Sequence, residues 1–186
     1  MTEPPIRSVC VYCGSRPGAS PAFVEAARET GMRLARAGYR LVYGAGDVGI
    51  MGAVAEGAVT AGGRRIGVIP THLFGREAQS RSDPSLIITE TMHERKKVMF
   101  MNADAVVALP GGPGTLDELF EAVTWRQLGL HAKPVFLLDT EGYWQPLLAL
   151  IEHVIAQGFA DESFRGFLTR CDDPTTLMRD LEAALA

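Results

Sequence analysis

Three glycine-bearing segments have the composition of loops that let an anion approach the backbone: Cys13-Gly14-Ser15, Gly44-Ala45-Gly46-Asp47-Val48-Gly49 and Pro110-Gly111-Gly112-Pro113-Gly114-Thr115. A glycine has no Cβ to keep an anion from the main-chain N–H groups. Each segment follows an apolar, β-branched run and precedes a helical pattern, and a helix N-terminus favours phosphate. Together they point to a phosphate-bearing ligand, with Ser15, Gly44, Gly46, Gly111, Gly112, Gly114 and Thr115 as candidate contacts. The second segment matches G-x-G-x-x-G. A dinucleotide fingerprint would also need an acidic residue about 20 positions on, and none occurs between Glu56 and Glu77.

Two further groups carry chemistry. Glu118 lies one helical turn beyond Thr115, where a carboxylate could act on a sugar carbon beside a bound phosphate. Thr115-Leu116-Asp117-Glu118 equally fits a capping box, in which Glu118 would only reach back to the helix start. Glu118→Gln separates the two, because glutamine still serves such a cap: stability should hold while activity falls. The second group, His93-Glu94-Arg95-Lys96-Lys97, holds two of the three lysines of the chain. Cations near a helix start mean either a bound anion or a solvated face.

The elements that must position these residues alternate strictly. Strands are expected at Ile6–Tyr12, Arg40–Tyr43, Arg65–Ile69, Leu86–Thr89, Ala105–Leu109, Pro134–Leu138 and Leu168–Cys171. Helices are expected at about Pro21–Ala37, Ile50–Ala61, Met92–Met101, Thr115–Leu128 and Tyr143–Gln157, and from Thr175. Thr71–Pro84 reads as an irregular, functional loop. This pattern predicts an α/β fold: a Rossmann-like, doubly wound parallel sheet with helices on both faces, in a single domain over residues 1–186. Such sheets bind ligands at the carboxyl ends of their strands.

Composition narrows the classes further. The chain has 186 residues, 47% of them hydrophobic and 22% charged, which is ordinary for a globular domain. A net charge of −4 argues against nucleic acid as the main partner. Cys10, Cys13 and Cys171 are too few and too odd in number for a disulfide framework, and read as buried thiols. The four histidines lack metal-ligand spacing, so no metal is expected. No apolar run approaches a bilayer span and no leader pattern is visible, so a cytoplasmic protein without membrane contact is expected.

CVYCGSRPG, LVYGAGDVGIMGAVAEGA, IGVIP, MHERKKVM and LPGGPGTLDELFEAVTWRQLGLHAKPV occur in the order found in the LOG ("Lonely guy") family. These are cytokinin riboside 5′-monophosphate phosphoribohydrolases, historically labelled lysine decarboxylases. The resemblance covers nearly the whole chain. Its specific signatures are R-K-x-x-M, here Arg95 to Met99, and P-G-G-x-G-T-x-x-E, here Pro110 to Glu118.

The resemblance implies hydrolysis of the N-glycosidic bond of an N6-modified adenosine 5′-monophosphate to free base and ribose 5-phosphate. It implies Arg95 and Glu118 as the catalytic pair. Lys96, Gly111, Gly112, Gly114, Thr115, Glu77 and Thr124 match substrate contacts, and a homodimer without cofactor is implied. Pyridoxal phosphate would need a Schiff-base lysine, for which no motif is present. Two departures are Ala45, where many relatives have glycine, and the loop carrying Glu77. Two alternatives remain: a nucleosidase for plain AMP or another nucleoside monophosphate, and a non-catalytic carrier like the molybdenum-cofactor carrier proteins. Arg95 paired with Glu118 favours an enzyme.

Overall fold

The computed structural model describes residues 6–74 and 85–186. Glu77 and most of the Thr71–Pro84 loop therefore lie outside the described residues. Seven strands form one sheet: β1 (Ser8–Tyr12), β2 (Arg40–Tyr43), β3 (Arg65–Pro70), β4 (Leu86–Thr89), β5 (Ala105–Ala108), β6 (Val135–Leu138) and β7 (Thr169–Cys171). Their order is β4-β3-β2-β1-β5-β6-β7, with every pairing parallel. The α/β, Rossmann-like doubly wound fold is as the sequence implies.

Period-two alternation explains the two cores. Along β1, Val9 and Val11 face one side while Cys10 and Tyr12 face the other. The first side is covered by α1 (Pro21–Arg36), α2 (Gly49–Thr60) and α6 (Pro174–Leu185). The second is covered by α3 (Met92–Met101), α4 (Pro113–Gln127) and α5 (Gln145–Ala156). With both faces covered, the central strands are apolar on both sides, and all four residues of β5 are buried.

Strand order reverses between β1 and β5, which makes their carboxyl ends the crevice of the fold. Two main-chain bonds tie the loops there: Gly14 N–H donates to the Pro110 carbonyl at 3.1 Å, and Leu109 N–H to the Tyr12 carbonyl at 2.9 Å. The walls of the crevice are therefore fastened to each other through the main chain.

Two helix starts differ from the sequence reading. Helix α4 begins at Pro113, with Gly112 as its N-cap and no side-chain cap. Glu118 therefore lies well inside the helix, and the capping-box reading of Thr115 and Glu118 is corrected. The real capping box belongs to α3, where Thr91 Oγ1 accepts from Glu94 N–H and the Glu94 carboxylate accepts from Thr91 N–H. The second difference is α5, which begins at Gln145 and leaves Tyr143 in the loop before it.

Candidate active site at the switch point

A cavity of about 510 Å³ opens over the β1 and β5 carboxyl ends, walled by Cys13 to Arg16, Met51, Leu73, Met92, Arg95, Gly112 to Thr115 and Glu118. A larger open hollow of about 650 Å³ lies between α1 and α6, sharing no residue with this site and lined mainly by charged side chains and methionines.

Glu118 projects from the buried face of α4 one turn beyond Thr115, and only 9% of it is exposed. Among the described residues no hydrogen bond or ion pair reaches its carboxylate. Burial pushes its pKa up to about 7, opposed chiefly by the positive charge of Arg95, with Asp117 adding to the rise and Lys96 countering it. A desolvated, unpartnered carboxylate in a polar cavity is a costly arrangement that structure alone does not require.

Arg95 is 5% exposed, which overturns the solvated-face reading for it. Its Nε donates to the Val68 carbonyl at 3.1 Å and its Nη2 to the Gly44 carbonyl at 2.7 Å. The guanidinium thus bridges Val68 within β3 and Gly44 just beyond β2, a two-acceptor geometry that suits its planar fork. A Cβ at Gly44 would stand 1.9 Å from Arg95 Nη2, so any side chain there must push the guanidinium aside. Gly44→Ala should displace Arg95 and reproduce most of the activity loss of an Arg95 variant. Steady-state kinetics of Gly44→Ala beside Arg95→Ala checks this.

The turn after β2 has packing work rather than a wall of the cavity. Gly46 N–H points to Met51 Sδ at 3.1 Å. The N–H groups of Ile50 and Met51, at the start of α2, already donate to the Arg16 and Gly14 carbonyls at 3.4 and 3.0 Å. Gly44 and Gly46 therefore lie beneath the site, and the anion position expected at this helix start is occupied by the chain's own carbonyls. Ala45 takes a left-handed φ of 60°, a conformation costing a non-glycine residue about 1 kcal/mol.

The start of α4 is different. A Cβ at Gly112 or Gly114 would meet nothing within 4 Å, so neither glycine is required by packing. Both line the cavity at a helix start that no side chain caps, which leaves first-turn N–H groups for an anion. Thr115 is buried beside them, and Ser15 lines the same cavity. Arg16 adds a cation that the sequence reading passed over, although it directly follows Ser15. Gly112→Ala should fold normally and raise KM for a phosphorylated substrate about tenfold or more. Thermal unfolding together with KM checks both halves of that statement.

Lys96 is buried but does not line the cavity. Its ammonium donates to Asp117 at 2.9 Å and to Glu121 at 3.0 Å on α4. Because Lys96 follows Arg95 and Asp117 precedes Glu118, this bridge holds α3 against α4 with the adjoining Arg95 and Glu118 turned to the cavity. Thr124 also stays off the cavity walls, exposed on α4 between Phe120 and Leu128. Cys13 lines the cavity, but burial and then the Glu118 charge push its thiol far up, so it stays protonated. Among the described residues no His, Cys, Asp and Glu group could hold a metal, and no helix is long and apolar enough to cross a membrane.

A parallel sheet whose crevice joins an uncapped glycine-rich helix start to a buried carboxylate and a buried arginine defines a nucleotide-site protein of Rossmann-like fold. The comparisons refine this class. The family model described as "Possible lysine decarboxylase" matches residues 51–181. The chain is 45% identical over 176 residues to the rice "Probable cytokinin riboside 5′-monophosphate phosphoribohydrolase LOGL9", covering 95% of this chain and 78% of that one. It is 44% identical to the rice enzyme LOG (95% and 73% covered) and 42% identical to LOG7 of Arabidopsis thaliana (97% and 83% covered). The chain belongs to this family, the LOG phosphoribohydrolases. The molybdenum cofactor binding protein of Rippkaea orientalis shares the fold, with a TM-score of 0.74 at 22% identity over 98% of this chain and 99% of that one.

The decarboxylase description finds no support in the side chains. Lys96 is bound to Asp117 and Glu121, Lys133 Nζ donates to the Phe100 carbonyl at 2.6 Å, Lys97 is exposed, and none of the three lines the cavity.

Proposed function

We propose that this protein hydrolyses the N-glycosidic bond of N6-modified adenosine 5′-monophosphates, releasing the free base and ribose 5-phosphate. The observation that carries this reading is Glu118, a buried carboxylate with no partner among the described residues, one helical turn from the uncapped glycine start of α4. The names borne by relatives at 42–45% identity support the same reaction.

The 5′-phosphate sits against Gly112, Gly114 and Thr115, and its binding energy fixes C1′ of the ribose near Glu118. As the C1′–N9 bond breaks, its electron pair leaves with the base and positive charge grows on the sugar. The ionised Glu118 stabilises that charge and orients the water that adds to C1′. The departing base takes up a proton. Arg95 supplies a fixed positive charge for the oxygens of the nucleotide and holds down the pKa of Glu118. A carrier would need the cradle but not the carboxylate.

Exposed Phe120 on α4, with exposed Leu128 and Leu130 just beyond the end of that helix, supports a homodimer through this end of α4. Comparing turnover of N6-isopentenyladenosine 5′-monophosphate with its dephosphorylated riboside tests the cradle. The nucleotide should be preferred by at least about 10²-fold in kcat/KM. Equal rates would overturn the phosphate's role, and AMP run alongside measures what the N6 substituent adds.

A further inference from the structure

We infer that Tyr143, from the loop between β6 and α5, is a positioning residue for the phosphate cradle, acting through the Gly111–Gly112 peptide; this rests on the cradle proposed above. Its hydroxyl donates to the Gly111 carbonyl at 2.5 Å. A peptide between two glycines has the least steric resistance to flipping, because neither neighbour has a Cβ. That peptide is trans, so its C=O and N–H point in opposite directions. Holding the Gly111 oxygen toward Tyr143 turns the Gly112 N–H the other way. Tyr143 does not line the cavity and Gly112 does, so the donor is aimed at the anion position. Without the bond, the carbonyl could rotate inward and set a partial negative charge against the phosphate.

The loop carrying Tyr143 is held in a costly conformation. Glu141 takes a left-handed φ of 55°, and its carboxylate accepts from Ser20 Oγ at the start of α1 at 3.1 Å. Asp139, fully buried, accepts from Trp144 N–H and Gln145 Nε2, each at 2.6 Å. Thr140 Oγ1 and Trp144 Nε1 are buried without a hydrogen-bond partner among the described residues. Strain and unsatisfied polar atoms of this kind persist where the surroundings enforce a geometry that function uses. What they enforce here is the ring of Tyr143, wedged edge-on between Phe23 and Trp144 at centroid distances of 5.8 and 4.9 Å.

Tyr143→Phe keeps those ring contacts and removes only the hydroxyl. Calorimetric binding of inorganic phosphate and of ribose 5-phosphate to wild type and variant tests the inference without turnover. The variant should bind both roughly 3–10-fold more weakly, the worth of one hydrogen bond. KM for the nucleotide should rise by a similar factor with kcat changed less, and the unfolding temperature should stay within about 2 °C. Unchanged phosphate binding would overturn the inference and leave the cradle standing. A fall in unfolding temperature beyond about 4 °C would assign the bond to stability instead, which also overturns it. If wild type itself binds neither probe, the cradle fails and the inference falls with it.

Discussion

Glu118→Gln is expected to lower kcat roughly 10²–10⁴-fold, the usual weight of a positioned acid–base group, while making the protein more stable at pH 8. Both effects have one origin. Burial holds the carboxyl near a pKa of about 7, well above its ordinary value in an unfolded chain. The folded state therefore binds the proton more tightly than the unfolded state does. Its stabilising contribution is complete below the ordinary carboxylate range and is lost as pH rises through about 7. Ionising Glu118 in the folded protein then costs on the order of 3 kcal/mol. Glutamine escapes that cost, so its unfolding temperature should exceed that of wild type by roughly 5–10 °C at pH 8, with the difference vanishing toward pH 5. A cap would behave otherwise, and the near-constant stability expected from the sequence pattern no longer follows once α4 is seen to begin at Pro113. Wild-type kcat/KM should carry an ascending limb near pH 7 that the variant's residual activity lacks. The phosphate of the substrate titrates near pH 6 and contributes equally to both. Full activity in Glu118→Gln would remove the carboxylate from the mechanism.

Arg95→Lys is expected to reduce kcat/KM roughly 10²–10³-fold although the charge is kept. Arg95 donates from Nε and Nη2 to two buried carbonyls, Val68 within β3 and Gly44 just beyond the adjacent β2. An ammonium at the end of a flexible stem cannot span both acceptors and still present a planar face to the nucleotide. One carbonyl loses its donor, at a cost of about 1–3 kcal/mol. Arg95→Met separates charge from geometry. Arg95 is the main influence opposing the raised pKa of Glu118, so removing its charge should move the ascending limb of the pH profile above about 7. Wild-type kinetics in Arg95→Lys would show that charge suffices without the fork. An unmoved limb in Arg95→Met would uncouple the two residues.

Much of this site was legible in the sequence, for physical reasons that also mark where legibility ended. Buried parallel strands read as apolar runs, so Ala105–Ala108 and the glycine loop after it were plain. The start of α4 is obscured in the sequence because Thr-x-x-Glu imitates a capping box, although Pro113 at the first helical position marks it. The same pattern at Thr91 and Glu94 is a true cap. The family pattern puts Lys96 among substrate contacts, whereas its partners Asp117 and Glu121 are 21 and 25 residues away, a tertiary relation that local sequence does not carry. The sequence pattern puts Tyr143 at the first position of a helix that in fact begins at Gln145. The left-handed Glu141 and the capture of Trp144 N–H by Asp139 delay that helix and turn the phenol to the glycine loop.

The most direct test is chromatographic: purified protein with N6-isopentenyladenosine 5′-monophosphate, no metal or cofactor added, and products resolved over time. Free isopentenyladenine and ribose 5-phosphate should appear in equal amounts, and both should fall away in Glu118→Gln. Release of riboside and inorganic phosphate, or bound nucleotide that is never cleaved, would contradict the assignment of this crevice to N-glycosidic hydrolysis.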